Sequence, residues 1–275
     1  MKSKEIKKAV KTGYARVAKQ ECSCCGPTNT CGPSGSAGTI SRQIGYTDEE
    51  LQAVPVGANL GLGCGNPVAL ALLKQGETVL DLGSGPGLDC FLAAQKVGAT
   101  GRVIGVDMTP EMIKKAKANA RKGDYQNVEF RLGEIESLPV DDNSVDVIIS
   151  NCVINLSPDK PKVFKESFRV LRPGGRLMVS DIVLVKELPA VIMNSVEAYI
   201  GCLSGAIRKD KYLDAVKSAG FADVKIIDEA SFPVELMAND PTAKALMKNL
   251  NLTEEIMRGL AHSVVSLKVS VVKPE

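Results

Sequence analysis

The chain has 275 residues, 44% hydrophobic and 24% charged, which is enough to bury a sizeable core in one or two domains. Its 34 basic and 32 acidic residues leave a formal charge of +2, and with 4% aromatics and no Trp there is neither an electrostatic nor a stacking case for nucleic acid. No apolar run is long enough to span a bilayer or serve as a signal peptide, so the expected location is the cytoplasm, with no membrane partner.

In chain order, the first predicted element is an amphipathic helix in "MKSKEIKKAVKTGYARVAKQ", where Ile6, Val10, Tyr14 and Val17 recur at helical spacing opposite a solvated lysine face. Residues 20–46 are rich in Gly, Ser, Pro and Cys, lack an apolar period, and read as a loop or lid. "TDEELQAV" is a short helix with Thr47 and Glu50 forming a capping box. "ETVLDLGSGPGLDCFLAAQKV" then supplies a strand, a glycine-rich turn and a helix. "GRVIGVDMTPEMIKKAKANARK" repeats that pattern, with Thr109 as the cap and Pro110 in the first turn. "VEFRLGEIESLP" and "VDVIISNCVINL" add a third and a fourth strand, followed by the helix "PKVFKESFRVL", the turn "RPGG" and a fifth strand, "RLMVSDIVL". Residues 186–215 break the rhythm with a mainly helical stretch. The tail holds two strands, "ADVKIIDEASF" and "SVVSLKVSVV", around a helical "PTAKALMKNLNLTEEIMRGL"; they form either an antiparallel edge of the sheet or a small sheet of their own. Strands alternating with helices predict an α/β fold with a doubly wound, mainly parallel sheet.

Gly83, Gly85 and Gly87 follow the strand "TVLDL" and open a helix, where glycine permits a tight turn and a close approach of backbone to ligand. The spacing G-x-G-x-G differs from the dinucleotide G-x-G-x-x-G. Asp81 ends the first strand, and Asp107 closes the second at the distance where a ribose-binding acid belongs. An acidic pocket without a diphosphate cradle suits a cationic nucleoside such as S-adenosylmethionine better than a dinucleotide.

Eight cysteines stand at 22, 24, 25, 31, 64, 90, 152 and 202, with one histidine, His262. In a reducing compartment such thiols are buried fillers, soft-metal ligands or redox groups rather than structural disulfides. Taken singly, Cys90, Cys152 and Cys202 read as small core residues and His262 as an ordinary one. With a single histidine, a soft ion here is bound by sulfur, and a Cys–His couple is nearly excluded.

The stretches "VLDLGSGPGLD", "VIGVDMTPEMI", "GEIESLPVDDNSVDVIISN" and "VLRPGGRLMVSD" together resemble the class I S-adenosylmethionine-dependent methyltransferases, in the family's order, over residues 79–181. The resemblance implies a Rossmann-like sheet with S-adenosylmethionine as cofactor. Asp81, Gly83, Ser84 and Gly85 would hold the methionine part, Asp107 and Met108 the ribose, and Glu134 and Ile135 the adenine, with Asn151 at the methionine end. The motifs "ANLGLGCGNP", "NCVINLS" and "YIGCLSGA", with the pair Cys24-Cys25, are similar to the cysteine motifs of the arsenite methyltransferases, and the likeness runs from about residue 20 onward. It implies that Cys64, Cys152 and Cys202 converge on trivalent arsenic, leaving a lone pair that attacks the sulfonium methyl group without a base. It also implies that an N-terminal cysteine, Cys25 with Cys24 close behind, joins Cys64 in redox cycling. Arsenite or its thiol adducts would be the substrate, and thioredoxin or glutathione the reductant, in a detoxifying enzyme. The implied division is an N-terminal helix and cysteine-rich loop over 1–46, a cofactor-binding domain over 47–185, and an arsenic-binding C-terminal α+β region over 186–275. Two other readings remain in play: a methyltransferase for another small acceptor, and a non-catalytic thiol-rich metalloid binder.

Overall fold

The computed structural model describes residues 3–19, 36–231 and 263–275. Cys22, Cys24, Cys25, Cys31, His262 and the helix expected over 241–260 lie outside the described residues. The amphipathic segment forms α1 (Ser3–Lys19), and Val10 is buried while Ile6 and Tyr14 pack against the same cluster. α2 (Ser36–Gln43) and α3 (Asp48–Gln52) follow, and α3 carries the expected capping box between Thr47 and Glu50. Asn66 caps the single turn α4 (Pro67–Leu70) through the Ala69 amide.

The core alternates β1 (Thr78–Leu82), α5 (Leu88–Val97), β2 (Arg102–Asp107), α6 (Pro110–Lys122), β3 (Val128–Leu132), β4 (Val145–Asn151), α7 (Lys160–Val170) and β5 (Leu171–Leu184). α8 (Ala190–Met193), α9 (Val196–Ile200) and α10 (Lys209–Ser218) fill the helical stretch before β6 (Ala222–Ser231) and β7 (Val264–Val272). The sheet order is β3-β2-β1-β4-β5-β7-β6, parallel from β3 to β5. β7 runs antiparallel between β5 and β6, so the tail strands extend the main sheet rather than build their own.

Because neighbouring side chains on a strand point to opposite faces, each parallel strand feeds two cores. Leu80, Leu82 and Ile148 meet Phe164 and Tyr212 on one side; Val79, Val147 and Ile149 meet Phe91 and Ala116 on the other. Each such fully buried aliphatic contributes about 1.5–3 kcal/mol.

Two local expectations change. "RPGG" is not a free turn but an irregular start of β5: the register jumps between Val145 and Val147, and Lys273, the residue after β7, holds the segment through Gly174 N–H to Lys273 O at 2.9 Å and Lys273 N–H to Gly175 O at 2.8 Å. Thr109 precedes α6 as expected but makes no side-chain cap; its backbone N–H and its hydroxyl both serve Asp107 instead.

Candidate active site

Strand order reverses between β1 and β4, the place where open α/β sheets bind ligands beyond the carboxyl ends of their strands. A cleft lies there, roofed by Lys7, Val10 and Tyr14 of α1, and floored at one end by Cys152. Asp81, Gly83, Ser84, Gly85, Asp107, Met108, Ile135 and Asn151 all line it. Glu134 does not: its side chain is 52% exposed and ion-paired to Lys7 at 2.6 Å, while Glu136 beyond it faces the cleft.

The glycine loop is shaped for a ligand. Gly83 has φ +66°, and a Cβ there would lie 2.2 Å from Val153 Cγ2, so a side chain is excluded on steric and conformational grounds. Gly85, at φ +52°, donates to Asp107 Oδ2 at 3.0 Å; a Cβ there would meet nothing within 4 Å, so its open side is the cleft itself. Ser84 Oγ is buried without a partner among the described residues. Burial, with the neighbouring Asp89 charge next, pushes the Asp81 carboxyl well above its ordinary range; its carboxylate accepts from the Cys90 thiol at 3.2 Å. Burial also raises Asp107 against the amide bonds from Thr109 and Gly85 that favour its charge. A cationic ligand would offset these buried negative charges.

Asn151 joins this cleft to the thiols. Its Nδ2 donates to Tyr46 Oη (2.9 Å), Gly65 O (2.8 Å) and Asp89 Oδ2 (3.1 Å), and its Oδ1 accepts from Cys64 N–H at 2.9 Å. Tyr46 in turn donates to Asp89 Oδ1 at 2.6 Å. One amide thus fixes the end of β4, the start of α5 and the loop carrying Cys64. Close packing enforces this, since a Cβ at Gly63 would approach Asn151 Nδ2 to 2.6 Å and one at Gly65 would reach Ser180 Oγ at 2.0 Å.

The structure brings Cys64, Cys152 and Cys202 together in one buried cluster. Cys64 Sγ donates to Ser180 O at 3.3 Å, and Cys202 Sγ donates to Cys152 O at 3.0 Å. Cys152 and Cys202 both have left-handed backbones, at φ +56° and +63°, a conformation costing a side-chain-bearing residue about 1–2 kcal/mol. Contact with Cys202, then with Cys64, then burial, raises the Cys152 thiol well above its ordinary value, and burial raises Cys64. Cys64 and Cys152 are therefore held as neutral thiols. Cys90 is separate from it, buried under the glycine loop.

Sequence reasoning missed Lys7, Tyr46, Asp89, Glu136 and Asp181. Lys7 shares a helical face with Val10 and Tyr14, a signal that was present, but lysines among apolar residues read equally well as solvated. Asp181 ends "RLMVSD" as Asp81 ends the first strand, yet nothing local separates it from a solvated strand end. It is fully buried, and burial first of all pushes its carboxyl from 3.8 up to about 7, with the Lys160 charge and the Tyr212 hydroxyl opposing. A raised folded-state value means that the folded chain binds the extra proton between these limits, so this contribution to stability is complete below about pH 4 and lost as pH rises through about 7. Thermal melts from pH 4 to pH 8 should show that decline, to which the raised Asp81, Asp89 and Asp107 also contribute, and Asp181→Asn should lessen it; an undiminished slope in the variant would contradict the assignment.

Among the described residues no helix is long and apolar enough to cross a membrane. A family profile described as a methyltransferase domain matches residues 73–220. The chain is 48% identical over 229 residues to an arsenite methyltransferase of Halobacterium salinarum, covering 81% of this chain and 59% of that protein. It is 35% identical over 237 residues to human arsenite methyltransferase, covering 82% of this chain and 61% of that one. The chain therefore spans less than two thirds of the length of these curated relatives. In structure it is similar to an arsenic(III) S-adenosylmethionine methyltransferase from Chlamydomonas reinhardtii, with a TM-score of 0.61, 29% identity, and coverage of 86% of this chain and 73% of that one.

Proposed function

Starting from a chain that belongs to the methyltransferase-domain family, we propose that it transfers methyl groups from S-adenosylmethionine to trivalent arsenic held by Cys64, Cys152 and Cys202. The observation that carries this reading is the cluster of three buried thiols, one of which, Cys152, floors the acid-lined cleft. The names of the relatives support it.

The cleft fits S-adenosylmethionine: an open face at Gly85, an unpartnered Ser84 hydroxyl, and buried carboxylates whose ionisation a cation would favour. Asp107 would take the ribose, Asp81 and the Gly83–Gly85 loop the methionine part, and Met108 with Ile135 would flank the adenine. When bound, the cofactor supplies an electrophilic methyl group. Glu134 reaches the ligand only through Lys7 and α1, so its contribution is to close the roof.

Arsenic arriving as arsenite or a small-thiol adduct exchanges its three ligands for the three cysteines. Each S–H proton leaves with a departing hydroxide or thiolate, as water or free thiol; at Cys64 and Cys152 the raised thiols disfavour a pre-formed thiolate. Three sulfurs leave the arsenic lone pair on the open apex of a pyramid. That lone pair needs alignment, not deprotonation, which agrees with a cradle that has no histidine among the described residues; its alignment falls to Asn151, which ties Cys64 to the cofactor cleft. Methyl transfer oxidises arsenic by two electrons. Disulfide formation between Cys64 and an N-terminal cysteine, Cys25 or Cys24, supplies them, and thioredoxin or glutathione restores the thiols. A cytoplasmic location keeps such thiols reduced. In this division of labour, residues 1–46 provide roof and redox thiol, 47–185 the cofactor site, and 186–275 one leg of the cradle.

The test is to incubate the protein with arsenite, a small thiol and methyl-labelled cofactor, and to separate the arsenic species by chromatography with mass detection. Label in methylated arsenic is expected. Tight arsenite binding with no labelled product would support the metalloid-binding reading instead.

A further inference from the structure

Asp181 has no part in the chemistry above, yet it is 1% exposed beside the thiols: a carboxylate oxygen of Asp181, Cys64 Sγ and Cys152 Sγ all lie within 4.8 Å of one another. We propose that Cys64, Cys152 and Asp181 form a site for a thiophilic divalent cation, zinc or cadmium, which occupies the cradle in place of arsenic. The cation site stands on this donor set alone; only its competition with arsenite rests on the arsenic reading.

The donors separate the two kinds of guest. Trivalent arsenic uses three sulfurs and keeps an open apex, whereas zinc takes sulfur and carboxylate oxygen together in a closed tetrahedron. In an ideal zinc site of this kind, donor atoms stand about 3.5–3.8 Å apart, so the observed cluster needs a contraction of about 1 Å, within reach of cysteine χ1 rotation. Cadmium, the larger ion, needs less. Cys202 stays outside this donor set, its thiol donating to Cys152 O at 3.0 Å.

Asp181 is also built like a ligand carboxylate. Its Oδ1 accepts from Asn155 Nδ2 at 3.0 Å and from Ile182 N–H at 3.2 Å, and its Oδ2 accepts from the Tyr212 hydroxyl at 3.1 Å. Such outer donors hold a metal-binding carboxylate in place while leaving lone pairs for the ion. Buried Lys160 sits at the same turn, donating to Ser157 O at 3.0 Å and Asn155 O at 3.4 Å, and its charge acts on Asp181. On binding, the cation forms two metal–sulfur bonds and one metal–oxygen bond; the two thiol protons, and the Asp181 proton where the carboxyl holds one, pass to solvent, and the −1 charge left on the complex faces that ammonium.

The experiment uses the full chain with Cys22, Cys24, Cys25 and Cys31 replaced by serine, so that only buried thiols are counted. Cadmium is titrated alone and followed by the thiolate-to-metal ultraviolet band, then by displacement with arsenite. Asp181→Asn is nearly isosteric, and its amide can still accept from Asn155 and Ile182 and face Tyr212. This variant should weaken cadmium binding by about tenfold or more and change arsenite binding by less than about threefold, because arsenic prefers sulfur alone. X-ray absorption of the zinc-loaded parent chain gives a reading that does not depend on the variant folding: zinc–sulfur distances of about 2.3 Å with an added zinc–oxygen distance of about 2.0–2.2 Å are expected. An all-sulfur shell, or cadmium affinity unchanged in Asp181→Asn, would overturn the proposal. Cadmium binding without arsenite binding would leave this site standing and sink the arsenic reading; arsenite binding without cadmium binding would do the reverse.

Discussion

Replacing Cys152 by alanine should lower arsenic methylation by about 10²-fold or more while leaving cofactor affinity close to that of the parent chain. Cys152 is the cradle cysteine that lines the cleft; Cys64 and Cys202 stand behind it. Without its sulfur, arsenic keeps two protein ligands, and the lone pair is no longer held in line with the methyl donor. A misplacement of about 1 Å is enough for a loss of that size. The same position makes a second, independent prediction about stability. Glycine in place of alanine ordinarily destabilises regular structure by about 0.5–1 kcal/mol, but at φ +56° the order should invert, with Cys152→Gly at least as stable as Cys152→Ala by denaturant titration. Both variants should be inactive. Inactivity with the ordinary stability order would mean that the left-handed backbone at Cys152 is not a feature of the molecule in solution, and retained methylation in either variant would remove Cys152 from the arsenic site.

Asp107→Ala is expected to weaken S-adenosylmethionine binding by about 10²–10⁴-fold, from the loss of two charge-assisted hydrogen bonds of about 1.5–3 kcal/mol each to the ribose. The carboxylate has a second task in the free chain. Its Oδ2 takes the Gly85 amide at 3.0 Å and its Oδ1 the Thr109 amide at 2.8 Å, so it holds the glycine loop and the start of α6 in register before any ligand arrives. The loss should therefore appear in calorimetric cofactor affinity rather than in arsenite affinity, because the hydrogen bonds of Asp107 go to Gly85 and Thr109 and not to Cys64, Cys152 or Cys202. An arsenite affinity that falls in parallel would show that the two halves of the site fold as one unit. An unchanged cofactor affinity would move the ribose elsewhere.

The parts of this molecule that were legible in advance are those specified by short-range rules. The strand "TVLDL" became β1 residue for residue, because a continuous apolar run bounded by turn signals has only one economical conformation in a parallel sheet. The Thr47–Glu50 box capped α3 because both partners lie within one helical turn. The glycine loop was readable for the same reason: Gly83 and Gly85 need left-handed backbones whatever lies above them, and Asp107 follows at a set spacing along the next strand. "RPGG" shows the limit of that method. Its residues favour a turn, and Lys273, the residue after β7 and nearly a hundred residues later, holds them to the sheet.

Sequence alone determined the doubly wound core, the cleft at its strand ends and the residue types offered to a sulfonium nucleoside, because each is set by periodicity and by glycine's conformational freedom within about thirty residues. Tertiary structure alone decided the rest. Lys7 bonds to Glu134 outside the cleft, Asn151 gathers Tyr46, Asp89 and Cys64, and Asp181 is set beside Cys152 by the parallel register of β4 and β5, with Cys64 brought to the same place by Asn151. Those contacts join residues far apart in the chain, and their strength comes from burial, which only the folded sheet and the helix laid over it provide.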